Sequence, residues 1–298
     1  MFRSFLRAVL FATLLLGTLI GCAATQRIPR PSNHPGDLAY TTTDGDHQEI
    51  FMLNLDTQKT LNLINKPSDN IWPSWSPDGS QLAFTSSRAN NLDVYILDIK
   101  TETLRNLTQQ NTTDDGWPDW SPDGKQIVFA SNRTEHYDIY VMDTNGQNQR
   151  NLTNTPSDEG TPVWSTDGKK IAFSTNRNGN WEIFWMNADG SNPVNLTNHG
   201  ANDNLPSFSP DGTKLAFVSD RDKTTEIYVL ELASGKLTNL TNNPALDEYP
   251  AWSPDGTKIA FASDRGGKRN LYSMNADGST VIPLTDDVFD NWKPVWRP

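Results

Sequence analysis

Short apolar runs alternate with polar turns from residue 37 to the end of the chain. Residues 258–263 (Lys-Ile-Ala-Phe-Ala-Ser) alternate in polarity, and residues 226–230 (Glu-Ile-Tyr-Val-Leu) are rich in aromatic and β-branched side chains. Both compositions are typical of β-strands, whereas the 3.6-residue spacing of an amphipathic helix is absent beyond the first 36 residues. The pattern predicts an all-β protein.

A seven-residue motif, Pro-x-Trp-Ser-Pro-Asp-Gly, returns at intervals of 44 or 45 residues. Its copies begin at Pro73, Pro118, Pro162, Pro206 and Pro250, with Thr for the second proline in the third copy and Phe for tryptophan in the fourth. Proline and glycine in Ser-Pro-Asp-Gly suit a tight turn between two strands. Each unit has room for four short strands, which is the signature of a β-propeller blade.

The two ends of the repeat region complement each other. The region opens at residues 36–40, which align with the second strand of a unit, and it closes on residues 293–296, which align with a first strand. Pairing these ends would complete one composite blade and leave no free sheet edge at the closure. We therefore predict a six-bladed propeller of four-stranded blades, closed by the C-terminal strand.

A basic residue follows the second strand of five units, and an acid or amide stands five residues later. The bases are Arg88, Arg133, Arg177, Arg221 and Arg265, and the later residues are Asp93, Asp138, Glu182, Glu226 and Asn270. We expect each arginine to pair with the acid across its hairpin and to brace the blade. The first unit departs from the pattern, with Asp44 in place of arginine.

The first 21 residues have the layout of an export signal: Arg3 and Arg7, then an apolar run from Ala8 to Ile20. That run is shorter than the roughly 20 residues needed to span a bilayer. It ends in Leu-Ile-Gly-Cys, which resembles the lipobox of bacterial lipoproteins, and Cys22 is the only cysteine of the chain. We predict a signal peptide at 1–21, a lipidated Cys22 with a tether to residue 36, and a propeller at 37–298. The resemblance, with Ala23 after the cysteine, favours the outer membrane.

The formal net charge of the chain is −11. Binding to a phosphate backbone requires clustered lysine and arginine, so nucleic acid is not an expected partner.

The repeat, with Ile-Ala-Phe and Ser-Asp-Arg behind it, resembles the propeller repeat of the TolB family over residues 37–298. The resemblance implies a non-enzymatic, monomeric scaffold on the periplasmic side of the bacterial envelope, with a protein or peptide partner that belongs to the Tol-Pal system or lies outside it. Two departures are expected: the α/β domain that precedes the propeller in that family has no counterpart, and this chain carries a lipid.

Acids or amides stand just before each first strand, where we expect them to surround one mouth of the central channel. The candidate residues for binding a cation or a partner there are Asp69, Asp114, Asp115, Asp158, Glu159, Asp203, Asp247 and Asp290. Oxygen-rich rings suit calcium, which takes 6–8 oxygen ligands. The alternative is that these side chains cap turns between blades through backbone hydrogen bonds.

Two sets of aromatic residues lie near the first strands. The tryptophans of the repeat motif are expected to be buried between blades, although an aromatic cage for a ligand is an alternative. We expect the second set, at the loop end of the strands, to be exposed and to contact a partner. It consists of Trp72, Trp117, Tyr249 and Trp292.

An enzyme is the second hypothesis. The chain has no Gly-x-Ser-x-Gly nucleophile motif, so the alternative is a carbohydrate-active lyase or hydrolase that uses the acids of the channel mouth. Because these acids recur in every unit, no single pair stands apart as a catalytic set.

Overall fold

The computed structural model describes residues 36–109, 112–286 and 288–298. The signal peptide, Cys22 and most of the tether lie outside the described residues, so those parts of the prediction stay predictions. No helix in the described part is long and apolar enough to cross a membrane.

The described residues form 24 strands in six antiparallel four-stranded sheets. From the channel outwards, blade 1 consists of β24 (Asn291–Trp296), β1 (Leu38–Asp44), β2 (His47–Asn54) and β3 (Lys59–Asn62). Blade 2 consists of β4 (Asn70–Trp75), β5 (Gln81–Ser86), β6 (Asp93–Asp98) and β7 (Thr103–Asn106). Blade 3 consists of β8 (Asp115–Trp120), β9 (Gln126–Thr134), β10 (His136–Asp143) and β11 (Arg150–Asn151).

The remaining three blades repeat the same order of strands. Blade 4 consists of β12 (Glu159–Trp164), β13 (Lys170–Thr175), β14 (Glu182–Asn187) and β15 (Val194–Asn195). Blade 5 consists of β16 (Asp203–Phe208), β17 (Lys214–Ser219), β18 (Glu226–Glu231) and β19 (Leu237–Asn239). Blade 6 consists of β20 (Asp247–Trp252), β21 (Lys258–Ser263), β22 (Asn270–Asn275) and β23 (Ile282–Pro283). The predicted six-bladed, all-β propeller is confirmed.

The two faces of the propeller differ in their connections. The loop face carries the starts of the first strands and the hairpins between the second and third strands of each blade, as the bond from Ser87 N–H to the Asp69 carbonyl shows in blade 2. The turn face carries the Ser-Pro-Asp-Gly turns, in which Gly79 has a φ of 64°. Only glycine adopts that left-handed conformation readily, so the turn chemistry of the repeat is satisfied here.

The C-terminal strand closes the ring, as predicted. β24 pairs with β1 in an antiparallel register that places Leu38 opposite Trp296. Blade 1 lacks a Ser-Pro-Asp-Gly turn, and Arg297 takes its place on the turn face. The buried Arg297 guanidinium donates to the Gly79 carbonyl of blade 2 through Nε and Nη2, at 3.1 and 2.7 Å, and lies 4.9 Å from the centroid of the Trp75 ring.

The core is built from one large side chain per blade on the second strand. These side chains are Tyr40, Phe84, Phe129, Phe173, Phe217 and Phe261, all no more than 2% exposed. Each packs against an aromatic ring of the third strand, with centroids 5.8 to 6.3 Å apart. The repeat tryptophans at positions 75, 120, 164 and 252 are buried as predicted, whereas Phe208 and Trp296 are half-buried.

The predicted pairing of each arginine with the acid five residues later is wrong. Arg133 donates instead from Nη2 to Asp115, the first residue of the inner strand, at 2.8 Å, and from Nε to the Ser131 hydroxyl at 2.7 Å. Its guanidinium lies 4.5 Å from the centroid of the Tyr140 ring. The same arrangement joins Arg177 to Glu159, Arg221 to Asp203 and Arg265 to Asp247, and in blade 2 Arg88 donates to the amide oxygen of Asn70.

The acid five residues after the arginine accepts hydrogen bonds from the Asn-Leu-Thr triplet at the fourth strand instead. In blade 2, Asp93 accepts hydrogen bonds from Asn106 Nδ2 and the Thr108 hydroxyl, both at 2.8 Å. The arginine bonds across to the inner strand because the hairpin places it above that strand's first residue, eighteen positions earlier in the chain.

Candidate functional site

Four of the predicted carboxylates lie in loops just ahead of the first strands and cap the neighbouring hairpin. Asp69, Asp114, Asp158 and Asp290 each accept a hydrogen bond from one backbone N–H of the preceding blade, at 3.0 to 3.3 Å. The donors are the N–H groups of residues 48, 92, 137 and 269. These contacts correspond to the turn-capping alternative.

The other four carboxylates begin the inner strands and point into the blades. Asp115, Glu159, Asp203 and Asp247 are fully buried and bound to arginine. Burial raises the pKa of Asp115 and Glu159, and the arginine contacts oppose the rise. Within the fold, these four carboxylates therefore serve as ion-pair partners of the arginine side chains.

None of the eight carboxylates lines the cavity at the centre of the ring. Within residues 36–109, 112–286 and 288–298, no group of three or more His, Cys, Asp and Glu side chains is placed to hold a metal ion. The structure thus places these acids on the loop face but separates them blade by blade.

The central cavity is lined instead by the residues that precede the repeat prolines. Six equivalent positions form this proline-flanking ring: Trp72, Trp117, Thr161, Leu205, Tyr249 and Lys293. All six have a φ between 48° and 59°, which is unfavourable for residues other than glycine. A β-bulge at this point in the inner strand, between Ile71 and Ser74 in blade 2, accompanies the unusual backbone.

The aromatic side chains at the loop end of the channel pack on one another. The Trp72 ring contacts the rings of Trp117, Tyr249 and Trp292 edge-on, with centroids 5.9, 5.6 and 5.7 Å apart. These partners belong to blades 3, 6 and 1, so Trp72 joins rings from both sides of its own blade. We call these four residues the aromatic cluster.

The expectation that the aromatic cluster is exposed is wrong for three of its members. Trp117 and Tyr249 are 6% exposed and Trp292 is 7% exposed, whereas Trp72 is half-buried. The channel mouth explains the difference, because six loop ends converge there and the rings cover one another. In blade 1 the position directly before the repeat proline, which Trp72 occupies in blade 2, holds Lys293, and Trp292 lies one residue earlier.

Two charged residues of the cavity, Asp119 and Lys293, were not singled out from the sequence. Asp119 lies in the repeat at the position between proline and tryptophan, which holds Ser74, Val163, Ser207, Ala251 and Val295 in the other units. Comparing each repeat position across the six units would have found both residues, since each is the one charged member of its set.

The loop face also carries exposed apolar side chains. Leu246, Val288 and Phe289 are 39%, 70% and 39% exposed and flank the second hairpin of blade 6. We call these three residues the blade 6 patch. The other large apolar side chains that are exposed in the described part belong to the outer edges of blades 4, 5 and 6, at positions 194, 237, 281 and 282.

A closed ring of six four-stranded blades is the architecture of a β-propeller repeat protein. The TolB beta propeller domain family matches residues 22–154, 114–205, 147–228 and 198–298. The chain belongs to this family.

Individual relatives match smaller parts. The Tol-Pal system protein TolB of Francisella tularensis subsp. mediasiatica (strain FSC147) is 29% identical over 82 residues, which is 27% of this chain and 19% of that protein. The matched region therefore spans about a fifth of that relative's length.

Solved structures share the fold over most of the chain. TolB from Acinetobacter baumannii is 24% identical, with a TM-score of 0.79 over 90% of this chain and 68% of that one. An oligogalacturonate lyase in complex with manganese is 17% identical, with a TM-score of 0.62 over 83% of this chain and 73% of that one. These likenesses establish the fold, which scaffolds and enzymes share.

Proposed function

We propose that this protein is a non-enzymatic binding scaffold of the bacterial envelope, which engages a protein partner through its loop face. The observation that carries the proposal is the blade 6 patch, where Val288 is 70% exposed in the loop that leads into β24. Clustered apolar side chains on a soluble surface mark interaction sites.

The acidic groups around the patch would complement a basic or polar rim on the partner. Asp264, Asp286 and Asp290 lie in the loops that border it, and the whole chain is strongly acidic. Charges at the rim of an interface mainly steer association and select partners, while the apolar centre supplies affinity.

The point at which the tether joins the propeller agrees with this arrangement. Gly36 N–H donates to the Arg297 carbonyl on the turn face, opposite the blade 6 patch. If Cys22 carries a lipid, as the sequence predicts, the chain would run from that anchor into the propeller at the turn face. Periplasmic exposure at the outer membrane is part of the same proposal.

The partner would be identified by crosslinking in intact envelopes. A photo-crosslinking amino acid at position 288 should yield one defined protein adduct, while the same probe at position 282, on the outer edge of blade 6, should yield little. Both parent residues are exposed, at 70% and 45%, so they form a matched pair. Equal adducts at both positions, or none at 288, would remove the case for a loop-face partner.

The identity of the adduct would also decide the relation to the Tol-Pal system. Capture of the peptidoglycan-associated lipoprotein would place this scaffold with that system, as the name of the Francisella relative suggests. Capture of another envelope protein would assign it a separate role.

Calcium binding by the loop-face carboxylates remains a prediction from the sequence. Its test is the melting temperature of the purified propeller with millimolar calcium and with a chelator. A calcium-dependent rise that is lost in Asp114→Asn and Asp158→Asn would support a cation site, and an unchanged melting temperature would leave turn capping as the role of these residues.

A further inference from the structure

Two opposite charges break the sixfold repeat at the centre of the propeller. Lys293 is the one charged member of the proline-flanking ring, and Asp119 is the one charged member of the set two residues further along the inner strand. The other lining residues of the cavity are apolar, aromatic, hydroxyl-bearing or proline. Since a scaffold core gains nothing from isolated charges, this pair calls for its own explanation.

The Lys293 ammonium lies within the cavity without a protein acceptor. Its Nζ is 5.7 Å from the centroid of the Trp72 ring, and in the described part of the chain it makes neither a hydrogen bond nor an ion pair within 4.0 Å. Removal from water lowers the pKa of Lys293, and attraction to Asp119 opposes that shift. An ammonium has three donors, so this position favours a ligand that offers oxygen atoms.

The Asp119 carboxylate accepts its hydrogen bonds from Ser74 and Trp164 and makes none with Lys293. Oδ1 accepts from the Ser74 hydroxyl at 3.0 Å, and Oδ2 accepts from Trp164 N–H at 2.8 Å. Burial raises the pKa of Asp119 to about 6, and hydrogen bonds and the charge of Lys293 oppose the rise. Both Asp119 oxygens therefore accept hydrogen bonds from neighbouring blades. The Lys293 ammonium is attracted to the Asp119 carboxylate through space but does not bond to it.

The size of the cavity limits what can occupy it. Its volume is about 50 Å³, where a single water needs roughly 10–15 Å³. A group of three or four heavy atoms fits, and a folded loop does not. The walls supply Val163, Leu205 and Val295 beside the repeat prolines, which suits a short apolar stem.

We propose that the centre of the propeller binds the carboxylate group of a small acid or of a peptide C-terminus, paired with Lys293 beneath the Trp72 ring. Carboxylate–ammonium hydrogen bonds are among the stronger polar contacts in proteins. The proposal goes beyond the loop-face scaffold, because it concerns the interior of the ring and holds whether or not a partner docks on the blade 6 patch.

Asp119 would make the affinity for the carboxylate depend on pH. An anion beside Lys293 also repels the Asp119 carboxylate, so binding favours the protonated form and becomes tighter as pH falls from about 7 to about 5. The groups that face Asp119 from the neighbouring inner strands are the Ser74 hydroxyl and the Lys293 ammonium, and the Tyr249 side chain lines the same cavity. Burial raises the pKa of Tyr249, so Tyr249 stays neutral over this range.

The test is an NMR titration of the purified chain that follows the indole N–H signals of the tryptophans. The probes are sodium acetate and acetyl-glycyl-glycine, with sodium chloride and acetyl-glycyl-glycine amide as matched controls. We expect saturable shifts of the Trp72 and Trp117 signals with the two carboxylates only. Binding of both would indicate a general carboxylate site, and preference for the peptide would indicate a chain end.

Variants make the assignment specific. Lys293→Met should weaken binding at least about tenfold, whereas Lys169→Met, at an exposed turn-face lysine, should leave it unchanged. Asp119→Asn should bind but lose most of the pH dependence. Absence of saturation with both probes at pH 5.5, or unchanged binding by a folded Lys293→Met variant, would overturn the proposal.

Discussion

Removing the guanidinium of Arg221 should destabilise the propeller more than any surface substitution. Arg221 Nη2 lies 2.9 and 3.0 Å from the two carboxylate oxygens of Asp203, and Nε lies 2.8 Å from the Ser219 hydroxyl. Asp203 is fully buried, while the Arg221 side chain is 13% exposed. In Arg221→Met the Asp203 carboxylate would remain buried without a counter-charge.

The magnitude follows from that burial. Breaking one partner of a buried ion pair costs about 3–5 kcal/mol, and loss of the stacking on the Tyr228 ring, at 4.8 Å, contributes to it. We expect Arg221→Met to lower the free energy of unfolding by about 3–5 kcal/mol.

Blade 2 shows which milder substitution the site tolerates. Blade 2 has Asn70 at the position of Asp203, and its amide oxygen accepts from Arg88 at 2.7 Å. Asp203→Asn should therefore keep one hydrogen bond and cost only about 1–2 kcal/mol. The double variant Arg221→Met with Asp203→Asn leaves no unpaired charge at these two positions, so we expect it to be more stable than Arg221→Met alone by about 2 kcal/mol.

Urea unfolding followed by tryptophan fluorescence measures these differences, provided that the slope is unchanged between variants. Lys236→Met in the same blade is the control, because its ion pair with Glu231 is exposed and should matter by less than about 0.5 kcal/mol. A loss below about 1 kcal/mol for Arg221→Met, or a double variant less stable than Arg221→Met, would refute the reasoning.

Three further predictions concern the backbone, the pH dependence and the closure of the ring. A Cβ at Gly190 would lie 2.7 Å from the Leu152 carbonyl oxygen, whereas one at Gly179, also at positive φ, meets nothing within 4 Å; Gly190→Ala should therefore lower the melting temperature further than Gly179→Ala. Burial raises the pKa of Glu49 from 4.5 to about 7, so the folded state holds this proton more tightly, and the stability gained below pH 4.5 is lost as pH rises through 7. Relative to Glu49→Gln, the wild type should lose about 1–3 kcal/mol over that window, and parallel pH profiles of urea unfolding would contradict the assignment. Truncation after Asp290 removes β24 and exposes the edge of β1, so gel filtration should show aggregates; a folded monomer would argue against the closing role of the C-terminal strand.

The sequence by itself determined the fold of this protein, because the information is local and repeated. The Ser-Pro-Asp-Gly turn, the alternating strands and the 44-residue interval specify a blade, and the incomplete units at the two ends specify the number of blades. The burial of most repeat tryptophans between blades followed from the same pattern. A large apolar side chain on an inner strand is stabilised by packing against the neighbouring blade.

Only the tertiary structure decided which side chains meet. Arg133 is five residues from Asp138 but bonds to Asp115, because the hairpin places the guanidinium over the inner strand. The aromatic cluster was predicted residue by residue but not its burial, which depends on loop ends from blades 1, 2, 3 and 6 meeting at one axis. Asp119 and Lys293 are 174 residues apart and share a cavity because the ring closes. Spacing along the chain could not reveal that neighbourhood, since long-range contacts in a propeller are set by the packing of whole blades.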